Sequence, residues 1–303
     1  MEYNSAEHYL HLSNERYILQ TLTRFGMQDC YGKDKPLPSN CNLQKTNINI
    51  CGEIYQQIIG SLLWIARTLR PDIMFATVYL SQFVKCANED HLKAAKHVLK
   101  YLKKTIKQRI SYSKKEIDQY LDMSNITNGS NVITVFEDAS FANDHDSVSY
   151  TGYLIYLNGC LMDWCTRKQS LVATSSTESE FIALCETNKT VLHVWQLISE
   201  FFPTFHPVHI YCDSESAQKM AENNLNSRRT KHILIIYRFV TDWINKGLIK
   251  LYHIDTTLNL ADYMTKVPKD TNYIIRSQQM FNSLVTAKFE KATTFTFEYF
   301  FGK

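Results

Sequence analysis

The chain changes its hydrophobic period near the middle. Over residues 13–104 apolar positions recur at helical spacing, and from residue 132 onward they come in short β-branched and aromatic runs. Ser13 can cap a first helix, predicted over 13–30, whose stripe of Tyr17, Ile18, Thr21, Leu22 and Phe25 stops at Gly26. A polar loop carrying Pro36 and Pro38 is expected from Tyr31 to Gly52. Helices are then predicted over Tyr55–Leu69, Ile73–Phe83 and Asp90–Lys104. Arg70-Pro71-Asp72 separates the first two, because proline disfavours helical backbone in the residue before it. The third sets Leu92, Ala95, Val98, Leu99 and Leu102 against a lysine-rich face. This block reads as a helical bundle.

From 112 to 130 the pattern is weak, and Asn125, Asn128, Gly129 and Ser130 suggest a linker. Strands follow at 132–138, 151–157, 160–165 and near 170–173, with Asn158-Gly159 as a hairpin turn. A helix over 177–202 carries Phe181, Leu184, Cys185, Leu192, Trp195 and Ile198 on one stripe. A strand at 208–212, helices at 214–222 and 229–246, a strand at 249–254 and a helix at 260–266 complete the order. Three antiparallel strands, a helix and a parallel-type return strand give an α/β class. Thr293–Phe301 is aromatic and β-prone, either an edge strand or a disordered end.

At 303 residues the chain has room for two domains, and 45% hydrophobic with 21% charged residues fits a globular protein. No apolar run approaches the roughly 20 residues that span a bilayer, so no membrane partner is expected. Met1-Glu2-Tyr3-Asn4-Ser5 lacks the basic and apolar regions of a signal peptide, which points to an intracellular protein, cytoplasmic or nuclear, and not a secreted one. The eight cysteines have no zinc or CxxC spacing and read as reduced thiols. A net charge of +3 decides little, but its distribution says more. Lys93, Lys96, Lys100, Lys103, Lys104, Lys107 and Arg109 fall together, and Arg228, Arg229, Lys231 and His232 form a second cluster. Either could neutralise phosphates or be a solvated helix face.

Four acids sit where elements begin or end. Taken singly, each has an ordinary explanation. Asp138 ends a strand and reads as a turn aspartate. Glu180 completes a Thr177-x-x-Glu180 capping box, and Glu178 could cap with Ser175 in the same way. Asp213 or Ser214 can cap the helix that follows. Asp262 is an acid at a helix N-terminus, where the dipole favours it.

The strings around these acids, and those of the helical block, carry a resemblance. Tyr55-Gln56-Gln57-Ile58-Ile59-Gly60-Ser61-Leu62-Leu63-Trp64, Arg70-Pro71-Asp72-Ile73, Leu80-Ser81-Gln82-Phe83 and His91-Leu92-Lys93-Ala94-Ala95-Lys96 are similar to the Pol polyproteins of Ty1/copia-class retrotransposons. So are Asp138-Ala139-Ser140-Phe141-Ala142, Thr177-Glu178-Ser179-Glu180-Phe181-Ile182-Ala183, Cys212-Asp213-Ser214-Glu215, Arg229-Thr230-Lys231-His232-Ile233 and Leu260-Ala261-Asp262-Tyr263. The resemblance spans roughly residues 10–268.

It implies a helical remnant of the reverse-transcriptase thumb and connection over 1–128, an RNase H-like mixed sheet with flanking helices over 129–268, and a tail of unknown structure over 269–303. The polymerase's Tyr-Val-Asp-Asp-type hairpin is absent, so copying of nucleic acid is not expected. The implied activity is hydrolysis of the RNA strand of an RNA–DNA hybrid. Asp138, Glu180, Asp213 and Asp262 are the implied ligands of two Mg²⁺ ions, with Mn²⁺ as an alternative and Glu178 as second choice to Glu180. Hard carboxylate oxygens suit such ions, and two of them about 3.5–4 Å apart serve both the attacking and the leaving oxygen. Lys231 and His232 are the implied substrate contacts, His253 is a further candidate, and a longer Pol or reverse-transcriptase chain is an implied partner. The alternative is an inactive relic or a nucleic-acid-binding module. Two departures favour drift: Ser147-Val148-Ser149 lacks the family's basic pair, and Leu234 stands where an acid usually follows Lys-His-Ile.

Overall fold

The computed structural model describes residues 1–38, 41–47, 49–123, 131–141, 148–202, 207–222, 240–267, 273–281 and 284. Lys231, His232 and the 293–301 segment lie outside them. The chain divides into two compact units, Met1–Ser113 with Lys266–Asn282, and Lys114–Thr265 with Ser283–Lys303. Among the described residues no helix is long and apolar enough to cross a membrane.

The first unit holds the expected helices, α1 (Glu15–Arg24), α2 (Gly52–Thr68), α3 (Met74–Ser81) and α4 (Glu89–Lys104). It also holds an antiparallel sheet that the hydrophobic pattern did not announce, formed by β1 (Glu2–Asn4), β2 (Tyr9–Leu12) and β3 (Ile110–Ser113) in that order. Asn88 caps α4: its side chain accepts from the backbone N–H of Asp90 and His91, and its own N–H donates to His91 Nδ1 at 3.1 Å.

The Arg70-Pro71-Asp72 interruption has a second purpose. Pro71 opens a 3₁₀ turn, Pro71–Ile73, and this folds Arg70 back onto Asp72, with Nε and Nη2 donating to its two carboxylate oxygens at 2.8 and 2.7 Å. Both side chains are fully buried. The remaining capacity of the pair is met within the same unit. Arg70 donates to the carbonyl and hydroxyl of Thr105, Tyr101 donates to Asp72 Oδ2, and the Tyr273 hydroxyl donates to the Asp72 carbonyl. A buried pair of this kind is weak in net terms, but breaking it strands a charge.

The second unit opens with α5 (Lys114–Met123), where a linker was expected. Its sheet comprises β4 (Ile133–Ser140), β5 (Tyr150–Leu157), β6 (Cys160–Lys168), β7 (Val208–Cys212) and β8 (Ile249–His253). The order is β6-β5-β4-β7-β8; β4–β5–β6 are antiparallel, and β7 and β8 run parallel to β4. With α6 (Ser176–Ser199) and α7 (Glu215–Glu222) beside it, this is a mixed sheet with flanking helices, the α/β architecture that the resemblance implies.

Asn158 and Gly159 both have positive φ, 49° and 78°, as a two-residue hairpin turn requires. Residues 170–173 form no strand: β6 ends at Lys168 on the edge of the sheet, and Leu171 and Val172 are exposed. One core lies between the sheet and α6, where Ile133, Val135, Ile155 and Ile210 meet Phe181, Leu184 and Cys185. All eight cysteines are free.

Asp72→Asn is expected to lower the stability of the first unit by about 3–5 kcal/mol, because it leaves the buried Arg70 charge uncompensated. Urea titrations following Trp64 fluorescence check this, and a loss under 1 kcal/mol would contradict the role given to the pair.

Candidate functional site

The register of the sheet decides where the acids fall. β4 and β7 are parallel with Phe136 opposite Tyr211, so Asp138 and Asp213 follow two residues later on adjacent strands. Strand alternation puts both on the sheet face opposite α6. Asp138 does not end its strand: pairing with β5 continues through Ser140 opposite Tyr150.

The third acid is carried in by a loop. Asn259, buried, donates its amide to the Glu137 carbonyl at 2.9 Å and accepts the Ala261 N–H at 3.1 Å. Asp262 then starts the short helix Asp262–Thr265, which docks on β5 and β6. The Thr166 hydroxyl donates to the Met264 carbonyl at 2.6 Å, and the Thr265 hydroxyl donates to Asp138 Oδ2. Gly152, opposite Asp138, permits the approach: a Cβ there would lie 2.4 Å from Met264 Cβ and 2.7 Å from Thr265 Cγ2.

Asp138, Asp213 and Asp262 consequently each present a carboxylate oxygen within 4.8 Å of the others. Asp138 is buried, and the other two are partly exposed. Three hard oxygen donors at this spacing fit a divalent cation such as Mg²⁺ and suit no soft metal.

Glu180 stands beside this group. Its Oε2 accepts the Ala139 N–H at 3.0 Å, one residue after Asp138. It is not a cap for α6. Ser175 is the N-cap, accepting the Glu178 N–H at 3.1 Å. Glu178 turns outward to the Thr174 N–H and hydroxyl, at 2.6 and 2.5 Å, which leaves Glu180 available to β4. In the same way Ser214 caps α7 through the Ala217 N–H, so Asp213 is not spent on capping and accepts from the Thr256 hydroxyl at 2.8 Å.

The crowding is visible in the acids' proton affinity. Burial, then Asp138, Glu137 and Asp213, push the Glu180 carboxyl up to about 10. Glu137 is likewise raised well above the usual carboxylate range, first by complete burial and then by Asp138 and Asp213. Apart from the Cys212 thiol, its oxygens have no hydrogen-bond partner.

No protein-family profile matches the chain. It is 34% identical over 262 residues to the retrovirus-related Pol polyprotein from transposon RE1 of Arabidopsis thaliana, covering 85% of this chain and 17% of that protein. It is 31% identical over 268 residues to the corresponding polyprotein from transposon TNT 1-94 of Nicotiana tabacum, covering 85% and 19%. The chain belongs to the Ty1/copia-type retrotransposon Pol polyproteins. It spans less than a fifth of the length of these two relatives. Among solved structures it is similar to the N-terminal RNase H domain of rv2228c from Mycobacterium tuberculosis, at 8% identity over 45% of this chain and 91% of that one, with a TM-score of 0.34.

In this Pol chain the sequence reading missed Glu137, Gly152, Asn259 and Thr265. Glu137 had a legible signal. Strand alternation puts it on the α6 side with Ile133 and Val135, where an acid is out of place. Gly152 and Asn259 act through contacts more than 100 residues away in the chain, which no local pattern encodes. Lys231 and His232 fall outside the described residues. His253 ends β8, beside Glu215 and Asp255.

Gly152→Ala is expected to destabilise the second unit by about 1–3 kcal/mol through overpacking against Met264. Hydrogen exchange checks this: faster exchange should concentrate in 259–265.

Glu137→Gln should stabilise the metal-free protein at neutral and alkaline pH. A carboxyl whose folded pKa is raised contributes stability below its unfolded value, which fades as pH climbs toward the folded one. The gain should be near zero at pH 4.5, grow above it, and reach roughly 3–6 °C in melting temperature by pH 8. Circular dichroism melts of both proteins across that range read the difference.

Proposed function

We propose that residues 129–268 form an RNase H-type endonuclease that hydrolyses the RNA strand of an RNA–DNA hybrid, following a reverse-transcriptase remnant over 1–128 that has no polymerase motif. The observation that supports this most directly is the convergence of Asp138, Asp213 and Asp262 within 4.8 Å on an RNase H-like sheet. Membership of the Pol family supports the substrate class.

In this reading Asp138, Asp213, Asp262 and Glu180 hold divalent cations, Mg²⁺ in the first instance. Bound there, such ions lower the pKa of a water and neutralise charge on the scissile phosphate. The chain's own residues make that arrangement specific. The Thr265 hydroxyl fixes one Asp138 oxygen and the Thr256 hydroxyl one Asp213 oxygen, so the orientation of each carboxylate is held. The Ala139 N–H orients Glu180. Water attacks phosphorus, the P–O3′ bond breaks, and the products are a 5′-phosphate and a 3′-hydroxyl. Selectivity for the RNA strand would come from its 2′-hydroxyls and not from base reading. Lys231 and His232 remain proposed substrate contacts.

With Mg²⁺ present, the purified full chain should cleave a 5′-labelled RNA strand annealed to DNA, leaving the all-DNA duplex intact. Asp213→Asn should reduce the rate by at least about 10³-fold, the scale expected when transition-state charge loses its stabiliser. Folded protein that cuts no faster than Asp213→Asn would leave the inactive-relic reading standing instead.

A further inference from the structure

One side of the second unit's sheet ends in a long strand. β6 has nine residues, and among the described residues its strand neighbour is β5 alone. Gln169 donates its N–H to the Ser149 carbonyl at 2.8 Å, and residues of an antiparallel pair alternate between facing the partner and facing away. Thr166, an odd number of positions earlier, therefore directs its N–H and C=O away from β5. Apolar side chains are exposed at the same place: Met162 on the strand, and Leu171 and Val172 just past its end. A long edge of this kind invites pairing with another strand unless something covers it.

The chain supplies a strand at that place. Leu284, of the same unit, donates its N–H to the Gly159 carbonyl at 2.9 Å, one residue before β6 begins. Its side chain packs with Tyr120 and Val132. Residues 285–303 continue from this point, outside the described ones, and Thr293–Phe301 equals β6 in length. Its composition is β-prone and its pattern two-faced: Phe295, Phe297, Tyr299 and Phe301 alternate with Thr294, Thr296 and Glu298, and Phe300 alone breaks the rule. Left in water, such a segment is an aggregation hazard, so its aromatic face needs a surface. β8, the other edge, is only five residues long and lies about 19 Å farther across the sheet.

We infer that Thr293–Phe301 adds to the outer side of β6 as a sixth strand of this sheet, within the same molecule and parallel to β6. Reach and charge both select the parallel sense. Residues 285–292 stretch to about 29 Å at most, and β6 is about 30 Å long. An antiparallel strand must begin at the Lys168 end, at the limit of that reach, whereas a parallel one begins beside Cys160 with slack. With the strand ends aligned, the antiparallel sense also sets Glu298 directly opposite Asp163, and like charges so placed destabilise. Phe297 comes level with Trp164, in the cross-strand row of Leu154 and Phe136. The inference is independent of the carboxylate cluster.

Hydrogen–deuterium exchange of the full chain, read by mass spectrometry, tests it. Amides of 293–301 and of 161–168 should both exchange at least about 10-fold more slowly than in a free peptide. Replacing Thr296→Pro together with Phe297→Pro removes one N–H that faces β6 whichever way the strand alternates. Both segments should then exchange at least about 10-fold faster, and about 3-fold faster in the milder Phe297→Ser, which reads the same contact should the proline variant not fold. Deleting residues 287–290 leaves a connection that still reaches Cys160 but not the Lys168 end, so protection should survive.

Protection should also be unchanged on roughly fifty-fold dilution. The inference is overturned if 293–301 exchanges at free-peptide rates, or if Phe297→Ser leaves 161–168 unchanged. Protection that falls on dilution assigns the strand to a second copy and overturns it equally. Loss of protection in the 287–290 deletion overturns the parallel placement.

Discussion

Like charges held within 4.8 Å of one another resist being brought together, and the second unit is built to hold them there. The force that does so is not local to the acids. It is the hydrophobic register of the sheet: Ile133, Val135 and Ile210 are buried against α6, and a shift of one residue in β4 or β7 would carry these side chains to the other face. On that other face the rings of Phe136 and Tyr211 stack at 5.5 Å, and Tyr211 on Tyr252 at 5.2 Å. Apolar packing on both faces thus fixes the strands, and the acids near their carboxyl ends have no freedom to separate. Asp262 depends on a different constraint, the missing side chain of Gly152, which lets the 262–265 turn sit against β5.

The first unit solves a separate problem with a different device. Its helices bury Arg70, a residue rarely found inside, and compensate it completely: a two-pronged contact with Asp72, two bonds to Thr105, and the rings of Tyr101 and Phe281 at 5.7 and 5.9 Å. A hydrophobic pair of similar volume would cost less to bury. What the ion pair adds is direction: its bonds to Thr105 and its coupling through Asp72 to Tyr273 specify one arrangement of the α4 end and of the returning 273–281 segment.

What could be read from the sequence follows the range of the forces involved. The helices, the Asn158-Gly159 turn and the central strands depend on neighbours a few residues away, and their patterns were legible. β1, β2 and β3 were not: they are three or four residues long, and β2 finds its partner β3 about a hundred positions later, Tyr9 opposite Ser113. α5 is hidden in the pattern because the asparagines beyond residue 124 outweigh the short stripe of Ile117, Tyr120 and Leu121, and Tyr120 is held by the sheet through the Thr134 hydroxyl at 2.8 Å. The strand expected near 170–173 had the right composition but no partner, since β6 is already an edge. At the site, motif strings indicated which acids to compare, and capping geometry separates their surroundings. Ser175 and Ser214 take the caps, and this assigns Glu178 to the surface and frees Glu180 and Asp213.

Glu137 shows why the acids should not be counted as one group. Adjacent in sequence to Asp138, it lies on the opposite face of the same strand, and the pleat keeps the two apart. Its carboxyl is sealed between Cys212 and the α6 core, so no cation reaching Asp138, Asp213 and Asp262 can draw on it without opening that core. Burial raises its proton affinity well above the usual carboxylate range, just as burial and then Asp138 raise that of Glu180. In the proposed nuclease, a cation that takes Glu180 as a ligand would have to displace a proton from it as well as relieve repulsion among the aspartates. Cation affinity and pH are therefore coupled through the burial of Glu180 and its crowding by Asp138, while Glu137 stays on the core side that the strand's alternation assigns to it.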